Sequence, residues 1–183
     1  YERNVIEHKA FLENLEGLNV TRFVQVSSVA AIDGRRIPFS PKLRCDDAYR
    51  STKFLQQKEI EAWCIDRNID LVVLYPSAIF SDAPRDDTNI GKVQSLVSML
   101  PLLPDIDVRK SVTYLPNFLQ YLHHVSVAHN ERGDYLTVEA PVLTVTELLK
   151  NLAGEDCKIV KIPALKSLLM ISAVFLHVIT LNM

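Results

Sequence analysis

Glycine is scarce in this chain, and its scarcity excludes one kind of binding element. Only five of the 183 residues are glycine, and they are widely separated in the sequence. A turn that wraps backbone amides around a phosphate needs two or three glycines within about six residues. These 183 residues therefore contain no glycine-rich phosphate-binding turn.

Cysteine and net charge are low as well. Cys45, Cys64 and Cys157 are too far apart for a Cys-x-x-Cys metal or redox pair, so free thiols in a reducing cytoplasm are expected. The formal net charge is −2 and the basic residues are scattered, which disfavours a nucleic-acid partner. With 48% hydrophobic and 23% charged residues, the composition is that of a folded soluble protein rather than a disordered or collagen-like chain.

Short apolar runs alternate with longer amphipathic segments. This alternation is typical of an α/β fold, in which helices cover both faces of a parallel sheet. The pattern predicts strands over residues 22–28 and 69–75, and helices over residues 5–16, from about 46 to 68, 93–103 and 116–129.

The pentapeptide from Tyr49 to Lys53, with the sequence YRSTK, is the most informative short motif. On a helix, positions 49 and 53 project from one face, which places an ammonium beside a phenol. A fixed positive charge stabilises a phenolate, and the hydroxyl of Ser28, after the preceding strand, can share the proton. Such a set can move a proton at neutral pH. A solvated helix face is the alternative interpretation, since Tyr and Lys are common on helix surfaces.

The order of these segments resembles a known enzyme family. A strand ending in Ser27 and Ser28, a polar loop, the Tyr-x-x-x-Lys motif and a second strand closed by Pro76 are similar to the short-chain dehydrogenase/reductase superfamily. More narrowly, the chain resembles the extended branch, the NAD-dependent epimerase/dehydratase family that contains UDP-galactose 4-epimerase. Further similar segments cover nearly the whole chain: Asn4-Val5 before a helix, residues 17–24, Tyr75-Pro76-Ser77-Ala78-Ile79-Phe80 (R-P-x-x-V-Y-G in the family), residues 110–117, Gly133-Asp134-Tyr135 and residues 143–148.

The resemblance implies an α/β fold, a Rossmann-like doubly wound parallel sheet whose N-terminal strands are missing here, with a small α/β substrate-binding region. It assigns residues 1–80 to the C-terminal half of the NAD(P)-binding domain. Residues 81–183 are then mainly the substrate-binding region with an apolar C-terminal helix. The family's G-x-x-G-x-x-G turn is absent and residue 1 is Tyr. We therefore expect a C-terminal fragment that is inactive alone and has no measurable NAD(H) affinity.

The resemblance also implies roles for particular residues. Ser28, Tyr49 and Lys53 match the catalytic trio, with Ser27 as an alternative to Ser28. Arg109 or Lys110 stands where relatives carry an Arg that pairs with sugar-nucleotide phosphates, and a solvated pair of bases is the alternative. The implied cofactor-binding residues are Asn4, Ser27, Tyr49, Lys53, Tyr75, Pro76 and Ile79.

The chain departs from the family pattern at several of these positions. Where relatives have N-V-x-G-T, this chain continues from Asn4 and Val5 to Glu7 and His8, and so loses the small pair next to the cofactor. A polar helix cap is an alternative role for Asn4. Tyr75 replaces the usual Arg before the proline of the second strand.

The implied function is that of an NAD(P)-dependent oxidoreductase or epimerase acting on a nucleotide sugar, with NAD or NADP as cofactor. A 3β-hydroxysteroid-like dehydrogenase and a non-catalytic NAD(P)-binding regulator or scaffold are the alternatives. We expect a cytoplasmic protein, a homodimer at full length, with a small-molecule substrate and no metal. Residues 167–183 are strongly apolar, and a packed terminal helix is favoured over a membrane anchor.

Overall fold

The computed structural model describes residues 5–35, 45–82, 88–128, 130–140, 142–154 and 157–160. The helices are α1 (Glu7–Asn14), α2 (Val29–Gly34), α3 (Cys45–Asp66), α4 (Asn89–Val97), α5 (Leu115–Val127) and α6 (Val145–Ala153). The strands are β1 (Arg22–Val26), β2 (Asp70–Pro76), β3 (Ala78–Phe80), β4 (Leu102–Pro104), β5 (Arg109–Lys110), β6 (Val112–Tyr114), β7 (Gly133–Thr137), β8 (Leu143–Thr144) and β9 (Lys158–Val160). The described residues form two compact units, the first within residues 1–77 and 116–137 and the second within residues 78–115 and 138–183.

A parallel sheet with strand order β1-β2-β7 is the centre of the first unit. Its middle strand, β2, sends alternate side chains to opposite faces. Val72 and Leu74 pack against Phe118 and Val125 of α5. On the other face, Val73 belongs to the cluster around α2. Helices on both faces of a parallel sheet confirm the predicted α/β class.

Helix α1 and helix α3 share an apolar cluster on the second face of this sheet. Leu12 of α1 packs with Ile60, Trp63 and Cys64 of α3. The Trp63 ring meets Phe23 of β1 edge-on, with 5.9 Å between the ring centroids. The cluster therefore fixes both helices against β1.

Helix α2 approaches α3 very closely, and Gly34 makes this approach sterically feasible. A Cβ atom added at Gly34 would lie 1.9 Å from the carbonyl oxygen of Arg50 and 2.4 Å from its carbonyl carbon. Both are backbone atoms, so no side-chain rotation relieves the overlap. The contact seats the short helix that follows Ser28 directly on the helix that carries Tyr49 and Lys53.

The second unit consists of two-stranded pairs and two helices. Strands β3 and β6 and strands β4 and β9 pair in parallel, whereas β5 and β8 are antiparallel. Val97 of α4, Leu103 and Leu152 of α6 form its apolar cluster. Helix α6 begins with a capping box, in which the Thr144 hydroxyl accepts from the Glu147 amide and the Glu147 carboxylate accepts from the Thr144 amide.

The predicted helix over residues 93–103 is wrong in its bounds. Helix α4 begins earlier, at Asn89, because the Thr88 hydroxyl accepts a hydrogen bond from the Gly91 amide and caps the first turn. It ends at Val97. Residues 102–104 form a strand, because β9 supplies them with a parallel partner.

The chain leaves the first unit after Ser77. Residues 116–137, however, return to that unit, because α5 covers one face of the sheet and β7 pairs with β2. None of the helices in the described part of the chain is long and apolar enough to cross a membrane. Residues 167–183, predicted to form an apolar helix, lie outside the described residues.

Candidate active site

The topology places the sequence-predicted residues of the first unit at one edge of the sheet. Since β1 and β2 are parallel, the chain must return from the carboxyl end of β1 to the amino end of β2, and α3 makes this return. The N-terminal part of α3, with Tyr49 and Lys53, therefore lies toward the carboxyl ends of the strands. Ser28 follows β1 at the same edge. Doubly wound sheets bind their ligands at this edge.

Lys53 and Tyr49 differ in their environments. The Tyr49 side chain is 36% exposed. Lys53 is half-buried, and its ammonium donates a hydrogen bond of 3.1 Å to Gln56 Oε1. Burial lowers the pKa of Lys53, because the protein solvates the charge less well than water does. An ammonium has three N–H donors, and the bond to Gln56 uses one of them, so with respect to the described residues two are available to a ligand.

The two serines after β1 have distinct roles in the fold. The Ser28 hydroxyl oxygen accepts from the Ala30 amide at 3.2 Å and caps α2, a bond that does not use its own O–H. The Ser27 amide donates to the Leu74 carbonyl at 2.8 Å and extends the pairing of β1 with β2. The Ser27 hydroxyl is buried and, within the described ranges, has no hydrogen-bond partner.

Tyr75 is predicted to contact the cofactor, but its side chain forms hydrogen bonds with other residues of the first unit. Its phenol accepts from Gln57 Nε2 at 2.5 Å and donates to Asp134 Oδ2 at 3.3 Å. Burial, followed by the Asp134 charge, raises the pKa of Tyr75 to about 12. The phenol therefore stays protonated and links β2 to α3 and β7. Pro76, next to it, is buried at the end of β2.

A cleft of about 490 Å³ lies over this hydrogen-bonded group, between α2, α3, β2 and β7. Ser28, Tyr49 and Lys53 do not line it. Its walls combine apolar, aromatic and charged side chains: Ala31, Ile32, Arg35, Phe54, Gln57, Lys58, Glu61, Tyr75, Asp134 and Leu136.

The remaining predicted site residues belong to the second unit or lie outside the described chain. Ile79 lies in β3, opposite Thr113 of β6. Arg109 and Lys110 are exposed residues of β5. Two hydrogen bonds from Thr144, and then the Arg109 charge, lower the pKa of Glu147, so the Arg109 guanidinium lies close enough to this carboxylate to interact with it. Asn4 lies outside the described residues.

The sequence motifs did not indicate His8, a residue of α1 on whose imidazole the Lys53 charge acts. Burial and, secondly, the Lys53 charge lower the pKa of His8. Its Nε2 atom is buried and lacks a hydrogen-bond partner in the described part of the structure. One signal in the sequence could have indicated His8. It stands where the family pattern has a small residue, and it is bulky and titratable.

Comparison with solved structures identifies several proteins that share this fold. The structure is similar to RMD from Pseudomonas aeruginosa complexed with NADPH, with a TM-score of 0.63 and 19% identity over 87% of this chain and 60% of that one. It is also similar to UDP-N-acetylglucosamine 4-epimerase from Bacillus cereus, with a TM-score of 0.66 and 12% identity over 88% of this chain and 60% of that one. The terminal R domain of the myxalamid PKS-NRPS pathway gives a TM-score of 0.67 and 15% identity over 93% of this chain and 47% of that one.

These similarities establish the fold. Several of the structural neighbours are sugar-nucleotide 4-epimerases, and some of the neighbours were solved with NAD or NADPH, so the predicted resemblance to the epimerase/dehydratase family is confirmed at the level of the fold. The chain spans about half to three fifths of the length of these neighbours. No family model matches the sequence, and no curated protein does.

Proposed function

We propose that this chain carries the proton-transfer half of an NAD(P)-dependent oxidoreductase or epimerase that acts on a nucleotide sugar. One observation carries the proposal. Tyr49 and Lys53, four positions apart on α3, lie toward the carboxyl edge of a parallel sheet whose fold is shared with a UDP-N-acetylglucosamine 4-epimerase and with a protein complexed with NADPH. In such sheets this edge is the ligand-binding edge.

The residues present are suited to a dinucleotide at this edge. Lys53 retains two N–H donors, and the buried Ser27 hydroxyl lacks a partner within the described ranges. A ribose or a carboxamide can satisfy such groups. Tyr75 is committed to Gln57 and Asp134, so in this proposal it contributes backbone atoms rather than its phenol. When bound, the cofactor would accept or donate a hydride.

Each member of the trio has a role that its surroundings support. Tyr49 removes a proton from a substrate hydroxyl, and its exposure leaves the phenol open to a ligand. Lys53 stabilises the phenolate by its charge and binds the ribose with its free N–H donors. Ser28 accepts from the Ala30 amide, which orients its hydroxyl, and its O–H donates to the substrate oxygen as negative charge develops there.

Dinucleotide binding by the full-length protein tests the proposal. Wild-type protein should bind NAD or NADP in calorimetry, and Lys53→Ala should weaken this binding at least tenfold because the ribose loses a charged donor. Lys58→Ala is the matched control, since Lys58 lies on the same helix but is exposed and pairs with Glu61. A wild-type protein that binds neither dinucleotide would contradict the proposal.

The second unit is proposed to recognise the phosphates of the sugar nucleotide. Arg109→Ala or Lys110→Ala should raise KM for a UDP-sugar with little change in kcat, because a phosphate contact is made equally in the ground and transition states. Dinucleotide affinity should not change. Lys92→Ala, an exposed lysine of α4, is the control. Steady-state kinetics in which neither variant changes KM would remove both residues from the proposed site.

A further inference from the structure

His8 lies on the face of α1 that packs against α3. Val5 and Leu12 are buried, and His8, between them at helical spacing, is half-buried. Leu12 belongs to one buried cluster with Ile60, Trp63 and Cys64 of α3, which fixes the position of this face.

The two helices run in the same direction. Helix α1 ends before the amino end of β1 and α3 ends before the amino end of β2, and these strands are parallel. Residues that precede this shared cluster on each helix therefore lie closer to the carboxyl edge of the sheet. His8 on α1 and Lys53 on α3 both precede it, and the Lys53 charge acts on the imidazole.

One nitrogen of the His8 imidazole has no hydrogen-bond partner among the described residues. This atom, Nε2, is buried, while the ring contacts Phe11 with 6.1 Å between the centroids. Burial and the Lys53 charge both favour the neutral imidazole, because a second positive charge here would be poorly solvated and repelled. A neutral imidazole has one donor and one acceptor nitrogen.

We propose that His8 is a further ligand-contact residue, whose neutral imidazole accepts a hydrogen bond from the hydroxyl-bearing group that Lys53 binds. The chemistry of the pair supports this assignment. The hydroxyl-bearing group is taken to be a vicinal diol, that is, two neighbouring hydroxyls. Lys53 can only donate hydrogen bonds, whereas each hydroxyl of the diol also donates one and so needs an acceptor. An ammonium and a neutral imidazole at the same edge supply a donor and an acceptor. This inference rests on the proposed function. Under that function, the diol belongs to the ribose on the nicotinamide side of the cofactor.

The juxtaposition is tested first, without any cofactor. In the full-length protein, the pKa of His8 is followed by NMR of the imidazole Cε1–H group as pH is varied. Lys53→Met should raise it, because one of its two depressing causes is removed. Lys9→Met, at an exposed neighbouring lysine of α1, should leave it unchanged. An unchanged His8 pKa in Lys53→Met would overturn the inference, whatever the protein binds.

The ligand contact is tested next by calorimetry with NAD and NADP on the full-length protein. His8→Phe keeps a ring but removes both nitrogens, and should raise Kd about tenfold, the effect of one lost hydrogen bond. His8→Gln retains an acceptor and should stay within about threefold of wild type.

The outcomes separate this inference from the proposed function. If wild type binds a dinucleotide and His8→Phe binds it equally well, the inference is wrong and the proposed function stands. Equal loss of affinity in His8→Phe and His8→Gln also overturns it, since a packing role explains that result. If wild type binds neither NAD nor NADP, the proposed function fails and the ribose assignment with it.

Discussion

Replacing Tyr49 with Phe is expected to lower the turnover of the full-length protein by roughly 10² to 10⁴, the contribution of a positioned proton-transfer group. The substitution keeps the aromatic ring on α3 and removes only the hydroxyl. Because the phenol is open to a ligand rather than bonded into the core, the fold should not change. Turnover is measured with a UDP-sugar and NAD or NADP, and dinucleotide affinity should persist.

Tyr135→Phe is the matched control for this experiment. It removes a phenol hydroxyl from the same unit, one that donates to Glu131 Oε2 at 2.6 Å and has no proposed catalytic role. This variant should keep wild-type turnover. If Tyr49→Phe also keeps it, the enzymatic interpretation of the motif is wrong, and a dinucleotide-binding regulator or scaffold becomes the better hypothesis.

The substitution Gly34→Ala is expected to lower the free energy of unfolding by about 3 kcal/mol, the upper part of the range for overpacking a core. The added methyl group would overlap the Arg50 carbonyl group, at 1.9 Å from its oxygen. Backbone atoms cannot rotate away, so α2 must move off α3. Chemical denaturation followed by circular dichroism measures the change.

Gly17→Ala is the appropriate comparison for this loss. Gly17 has φ of +87° and no atom within 4 Å of an added Cβ, so only backbone strain of about 1–2 kcal/mol is expected. The Gly34 variant should therefore be the less stable of the two. Nearly wild-type stability in Gly34→Ala would show that α2 does not need the close contact with α3.

Sequence reasoning found the central strands and the long helix because their signals are local. The apolar runs of β1 and β2 are nearly continuous, as buried parallel strands require. The predicted helix from about 46 to 68 corresponds to α3, observed as Cys45–Asp66. The capping box of Thr144 and Glu147 was also visible, since it needs only residues three positions apart.

Local patterns could not show which distant segments become neighbours. Leu102, Leu103 and Pro104 resemble the end of an apolar helix in sequence, but β9 pairs with them as a strand. In the same way, no local feature places residues 116–137 in the first unit. Their position follows from the pairing of β7 with β2 and from the packing of α5 on the sheet.

The features of the candidate site also fall into two groups, those that local sequence predicts and those that depend on contacts between distant segments. By itself, the sequence determined the α/β class and the spacing of Tyr49 and Lys53 on one helix face, because both follow from periodicity within a single element. Only the tertiary structure decided that Tyr75 bonds to Gln57 and Asp134, and that the Lys53 charge acts on His8. These contacts join separate elements, and parallel packing of helices and strands brings them together across long stretches of sequence.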